Sequence, residues 1–166
     1  TLDGVALQQK LEFWKHQLED LPVLALPTDF PRPAVQTYSG ATQRFGFSQN
    51  VSSRIDAIAR AENVTPFSVL MALYAALLAR YSNQSDFAIG TPVAGRDREE
   101  LESIIGFFVN TVALRVRAEG TVTLRALLTQ VAQTAGDAFE HQEIPFEQIV
   151  DAVDPARDMS RSPLFQ

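Results

Sequence analysis

The sequence predicts a layered α/β (α+β) domain, a mixed sheet flanked by helices. Stretches with apolar residues at helical spacing alternate with stretches of period two. Helix-start chemistry stands before several of the former, as at Thr65-Pro66 and Thr123. The chain also has enough apolar residue, 46% of 166, to bury a core of one domain's size.

Residues 3–20 read as an amphipathic helix, with Leu7, Leu11, Trp14 and Leu18 on one stripe. Pro22 helps to end it. Pro22, Pro27, Pro31 and Pro33 then remove backbone donors, so the segment to Gly40 is expected to be an irregular strap on the surface. Thr42 to Ser48 alternates, with Gln43, Phe45 and Phe47 on one side, and predicts a half-buried strand. Ser48 or Asn50 caps the next helix, whose stripe is Val51, Ile55, Ile58 and Ala59.

Thr65 caps a helix that Pro66 opens, and its run to Tyr81 is apolar on nearly every face, so it is expected to be buried and central. Asp86 to Val93 predicts a buried strand, kinked or bulged near Gly90 and Pro92. A charged turn over residues 95–102 leads to a second strand, Phe108 to Arg117. Thr123 opens a helix with Leu124, Leu127, Leu128, Val131, Ala135 and Phe139 on one face. Pro145 opens a short last helix sharing Phe146, Ile149, Val150 and Val153. Ser162 to Gln166 reads as the beginning of a further strand, and the chain is expected to be cut from something longer.

Composition excludes several kinds of chemistry. With no cysteine there is no disulfide scaffold, thiolate metal site or thiol nucleophile. His16 and His141 alone cannot write a histidine-rich metal motif, so no metal site is expected. Fourteen basic against twenty acidic residues give a net charge of −6, which disfavours nucleic acid. The longest apolar run, Val69 to Ala79, is too short to span a bilayer, and no signal peptide is visible; no membrane partner and a cytoplasmic location are expected. Glycine-rich nucleotide loops and a Gly-x-Ser-x-Gly elbow are both missing from the sequence.

Four features are candidates for function, each with two open readings. Asn110 falls on the row of Phe108, Val112, Leu114 and Val116, where an unpartnered amide costs about 1–3 kcal/mol. It either ties a neighbouring loop or points into a cavity or channel. Ile104 to Phe108 is either a strand edge entering the core or an apolar flap pivoting at Gly106. His141 is either a helix C-terminal cap or a proton-handling group beside Glu140, Glu143 and Glu147. Arg157-Asp158 and Ser160-Arg161 form either a solvated ion network or a loop pinned against a neighbour. The Asn-x-Ser/Thr triplets at Asn50, Asn63 and Asn83 all fall at helix ends, which favours a capping explanation over glycosylation.

Three longer stretches resemble signature motifs of nonribosomal peptide synthetase condensation domains, in the family's order and at similar spacing. They are Ile105 to Arg115, His141 to Glu147 (HQEIPFE) and Arg157 to Gln166 (RDMSRSPLFQ). Phe13-Trp14-Lys15, Leu26 to Pro33, Tyr81 to Asp86 and Gly90 to Arg96 look like that family too. The resemblance implies a chloramphenicol acetyltransferase-like half-domain: residues 1–166 would be the C-terminal lobe of a condensation domain, truncated at both ends. It further implies amide formation between donor and acceptor thioesters, brought in on phosphopantetheine arms of carrier proteins. No cofactor would be bound by this chain itself.

The family's HHxxxDG motif has no counterpart in this sequence, so the resemblance implies no catalytic residue here and no activity of the chain alone. It maps Gly90, Pro92, Gly95, Arg96, Gly106, Phe107, Phe108, Asn110 and Thr111 onto the tunnel floor and the crossover between lobes. It makes His141, Gln142, Pro145, Phe146, Glu147, Arg157, Asp158, Ser160 and Arg161 motif residues with structural roles. Implied partners are the N-terminal lobe, an adjacent adenylation domain and the acceptor carrier protein. Two other functions stand beside this one: a docking module contacting those domains, and a free-standing coenzyme A-dependent acyltransferase, which the missing histidine disfavours.

Overall fold

A computed structural model describes residues 4–37, 39–95, 100, 103–118, 123–153 and 158–165. Helix α1 (Gly4–Leu18) carries Lys15 in its last turn, where positive charge suits the helix dipole, and buries Trp14 and Leu18 completely. Asp20 then adopts a left-handed φ of 50°, and the chain turns into the proline-rich strap. The described residues of the strap have no regular structure, as expected, yet they are tied. The Gln84 amide accepts from Ala25 N–H at 2.6 Å and donates to Val23 O at 3.0 Å, while Leu24 is buried between.

The strand expected over 42–48 does not form. Its parity is retained, with Phe45 and Phe47 on one side and their rings edge-to-face at 5.9 Å, but both are exposed. A strand exists only when its N–H and C=O groups find a partner, and no strand among the described residues pairs with this segment.

Helices α2 (Gln49–Glu62) and α3 (Pro66–Ser82) are set by local chemistry. Ser48 and not Asn50 is the N-cap of α2, and Thr65 caps α3 ahead of Pro66. Asn63 and Asn83 sit at the C-caps with φ of 52° and 55°, the left-handed conformation that Asn tolerates better than other side chains. Helix α3 is not buried all round. Ser68, Val69, Met71, Ala72, Ala75 and Leu78 face the core, whereas Leu70, Leu73, Tyr74, Leu77 and Tyr81 make an exposed apolar stripe. Val51 and Ile58 of α2 are likewise exposed, so its expected stripe buries only Ile55 and Ala59.

Strands β1 (Asp86–Val93) and β2 (Asn110–Arg117) pair antiparallel from Asp86↔Arg117 to Val93↔Asn110. The register is unbroken, so the bulge expected near Pro92 is absent; with one ladder partner per residue, Pro92 opposite Thr111 is accommodated. The second strand begins at Asn110, two residues later than its alternation suggests. In place of the expected mixed sheet, the sheet among the described residues is these two antiparallel strands.

Both parities of β2 are buried, Val112, Leu114 and Val116 together with Ala113 and Arg115, making the sheet a middle layer. Helix α4 (Leu124–Glu140), capped by Thr123, packs on α3 and along β2. Helix α5 (Phe146–Val153) packs on α1 and touches β2. The layered α/β (α+β) class therefore holds.

The strand expected to begin at Leu164 is instead a tight turn. Phe165 N–H donates to Pro163 O at 2.8 Å across Leu164, whose φ is 68°. The turn lays the Phe165 ring directly over Gly90, where any β-carbon would collide with it, and 5.3 Å from Phe146. No single helix among the described residues is long and apolar enough to cross a membrane, although α2 and α3 together, bent by 106°, pass that test by length and composition.

Candidate functional site

The candidate site is the crossing between β1 and β2 and the turn it leans on. At its base, Gly95 has φ of +60°, and the Phe108 carbonyl occupies the place where a side chain would begin. Glycine is therefore required there twice over, by conformation and by space. Gly106 has no left-handed φ, so a pivot role is not needed to explain it; its missing side chain leaves room for the Phe108 ring, 2.9 Å from where a β-carbon would sit.

Beyond this base the segment is not a strand edge entering the core. Ile105 is 101% and Phe107 89% exposed, with Ile104 and Val109 about half exposed. Of the two readings, an exposed apolar segment is what the structure has. Large side chains left in water in one short run mark a surface that awaits a partner. Ile105→Ser with Phe107→Ser is expected to lower, without abolishing, binding of a hydrophobic fluorescent dye and to leave the melting temperature unchanged, since neither side chain contributes to the core.

Asn110 stands where this segment joins β2. Its Nδ2 donates to Gln142 O and Ile144 O, both at 2.7 Å, and its Oδ1 accepts from Phe146 N–H at 3.1 Å. The loop-tying reading of Asn110 thus describes its contacts, and the burial cost of its amide is offset by three hydrogen bonds. Thr111 follows it, half-buried opposite Pro92.

His141 is the C-cap of α4. Its backbone N–H reaches Ala138 O and Phe139 O, its ring stacks on Phe13 at 3.8 Å and 13°, and Nδ1 lies 2.8 Å from Asp137 O. A carbonyl only accepts, so Nδ1 carries the hydrogen. The His141 carbonyl accepts from Trp14 Nε1 at 3.2 Å. Lys10 completes the clasp, donating to Glu140 O at 2.9 Å and pairing with Glu143 at 2.5 Å. Burial pushes the Glu143 carboxyl up, but the hydrogen bond from Lys10, a backbone hydrogen bond and the Lys10 charge together hold it below the usual range. His141 thus caps α4 and, through Phe13 and Trp14, joins its end to α1. Pro145 O accepts from Gln148 and Ile149 N–H to begin α5, with Phe146 half-buried and Glu147 exposed in its first turn.

Arg96 and Arg157 lie outside the described residues. Asp158, Ser160 and Arg161 form a pinned loop within the chain. Ser160 N–H donates to Asp158 Oδ1 at 2.8 Å and the Arg161 guanidinium is ion-paired with the same carboxylate, Nε lying 2.7 Å from Oδ2 without hydrogen-bond geometry, while Gln36 N–H and Arg32 donate to Met159 O and Ser160 O of that loop. Hydrogen bonds from Ser160, more than the nearby arginines, hold the Asp158 carboxyl below its usual range.

One feature had no sequence signal. A groove of about 940 Å³ runs between residues 18–24, α5 and residues 158–165, with Leu21, Val150, Val153 and Leu164 among its walls. Asp20 and Leu164, both left-handed, stand in its lining, and neither Asn110 nor the exposed segment reaches it. Among the described residues no cluster of acidic and histidine side chains could hold a metal ion.

This arrangement, a middle-layer sheet with an apolar crossing segment latched to a helix–helix turn, has the layered, chloramphenicol acetyltransferase-like fold of the condensation domains it superposes on. The condensation domain family matches residues 2–166, and the chain belongs to that family. It is 46% identical over 166 residues to a component of the linear gramicidin synthase of Brevibacillus parabrevis, covering 99% of this chain and 2% of that protein. Among solved structures, holo-AB3403, a four-domain nonribosomal peptide synthetase bound to AMP and glycine, superposes with a TM-score of 0.95 at 37% identity, over 100% of this chain and 13% of that one. The X-domain from teicoplanin biosynthesis superposes at 0.90 with 25% identity, over 96% of this chain and 36% of that one. The chain thus spans a small part of the relatives it matches.

Proposed function

We propose that this chain is the C-terminal lobe of an amide-forming condensation domain. The observation that carries the reading is the segment 104–109, apolar, exposed apart from half-buried Phe108, and held at its base by Gly95 and Asn110, which is what a crossover reaching to a second lobe requires. In the reaction, the amine of an acceptor aminoacyl thioester attacks the carbonyl carbon of a donor thioester. The C–N bond forms, the C–S bond breaks, the donor arm leaves as thiolate, and the amine proton is passed on so that the thiol is restored. Both thioesters arrive on phosphopantetheine arms, so the groups are substrates and the chain needs no cofactor of its own.

This lobe contributes walls and floor that hold amine and carbonyl in attack geometry, a proximity effect. The His-His pair that handles the proton in the family is not in this sequence, and His141 is occupied with capping. Its partners in this reading are the N-terminal lobe, the following adenylation domain and the acceptor carrier protein, all cytoplasmic. A second reading, a docking module without chemistry, draws on the exposed apolar stripe of α3.

The test uses carrier proteins loaded with donor and acceptor. The isolated chain is expected to form no amide product, and adding the N-terminal lobe of its parent is expected to restore it. Turnover by the chain alone, or none by the two lobes together, would overturn the proposal; association with the adenylation domain or carrier in that last case would favour the docking module.

A further inference from the structure

We infer that Asn110 is a positioning residue: it sets the direction in which the exposed segment 104–109 leaves the body by clamping the start of β2 to the turn between α4 and α5. Its hydrogen bonds give it that role. Both amide hydrogens are spent on Gln142 O and Ile144 O at 2.7 Å, and the oxygen is engaged by Phe146 N–H. Donors engaged in this way are not free for a substrate, so any influence of Asn110 on chemistry passes through what it holds.

The turn it holds is itself rigid. Ile144 is fully buried, His141 is stacked on Phe13, and Trp14 and Lys10 bind the turn to α1. On the other side, the segment is held at the Val93↔Asn110 pair and at the Gly95–Phe108 contact. Those two contacts fix where the segment starts and ends across the sheet. The Asn110 amide adds a third, out of the ladder, which fixes its angle. Asn is the side chain this needs: two donors face two carbonyls, and one acceptor faces an N–H. Aspartate has the same shape but would present negative oxygen to both carbonyls, so Asn110→Asp is expected to behave like the truncation.

The absence of cysteine makes the test clean. Spin labels on Ile105→Cys, which is fully exposed, and Gly136→Cys, where a β-carbon meets nothing, report the distance from the segment to α4. A narrow distance distribution is expected with Asn110, and a broad one with Asn110→Ala and Asn110→Asp. Helical content and the β1–β2 pairing should persist in both. Should Asn110→Ala not fold, Asn110→Ser carries the same comparison. An unchanged distribution in a folded variant overturns the inference.

A second arm rests on the proposed function and is read separately, in the complete condensation domain. Asn110→Ala is expected to lower kcat about ten- to a hundredfold. Combined with Phe107→Ala, the loss should not exceed the larger single one, because both act through one segment. Losses that multiply would show that Asn110 acts elsewhere and overturn its positioning role. The label distances stand whether or not the domain proves to be an amide synthase, so the two failures are distinguishable.

Discussion

Arg115→Met is expected to lower stability by about 3 kcal/mol, at the low end for breaking a buried ion pair because Asp86 retains some solvent. Arg115 is buried in β2, and its guanidinium faces Asp86 in a fork, Nε to Oδ1 at 2.8 Å and Nη2 to Oδ2 at 2.7 Å. Its remaining nitrogen donates to Gln17 O at 3.2 Å and Glu19 O at 2.7 Å, carbonyls that the end of α1 would otherwise leave without donors. Met fills similar volume, so what is lost is the charge and the donors. A urea midpoint measures the loss, and Asp86→Asn in the same chain should recover part of it. A loss below about 1 kcal/mol would mean that the pair is as weak as an exposed one.

The same pair has a pH signature. The hydrogen bond from Arg115, opposed by burial and aided by the charge of Arg115, holds the Asp86 carboxyl below its ordinary value. A carboxyl depressed in the folded state contributes stability that is fully present above its unfolded pKa, about 3.9, and is lost as pH falls through the folded value. Arg115 is shifted upward and stays charged throughout. Stability measured from pH 5 downward should therefore fall more steeply for the native chain than for Arg115→Met. Parallel curves would remove Asp86 from the account.

Trp14→Ala is expected to cost about 4 kcal/mol, the range for emptying a fully buried large aromatic site. Trp14 is wholly buried, meets Phe13 edge-on at 5.2 Å and donates to His141 O. Truncation opens a cavity and removes one of the contacts that hold the α4–α5 turn to α1. In a chain of this size that is a drop of roughly 10 °C in melting temperature. Trp14→Phe keeps most of the volume and loses the N–H, so about 1–2 kcal/mol is expected. Equal losses for the two variants would assign the whole effect to the hydrogen bond.

Much of the candidate site is legible in the amino-acid pattern. Asn110 is conspicuous because an amide on an apolar row demands partners, and the run Ile104 to Phe108 because bulky pairs flank a glycine beside a charged turn. Which partners Asn110 finds is not legible, since they lie 32 to 36 residues away and two of them are backbone carbonyls, which every residue carries. The double role of Gly95 and the groove at residues 18–24 leave no mark in the pattern, because left-handed Asp20 and Leu164 have no sequence signature of their own.

The helices were determined by the sequence alone. Ser48, Thr65 and Thr123 at their starts, Asn63 and Asn83 at their ends, and apolar stripes between them act over a few neighbouring residues, where the chain's own covalent geometry sets the distances. Only the tertiary structure decided that residues 42–48 find no strand partner among the described residues, that one side of α3 faces water, that Leu164 turns back to cover Gly90, and that Arg115 reaches across 98 residues to the end of α1. Alternation says which face a residue would take, but pairing and burial depend on what another part of the chain brings opposite. That energy belongs to the contact and cannot be read from either side of it.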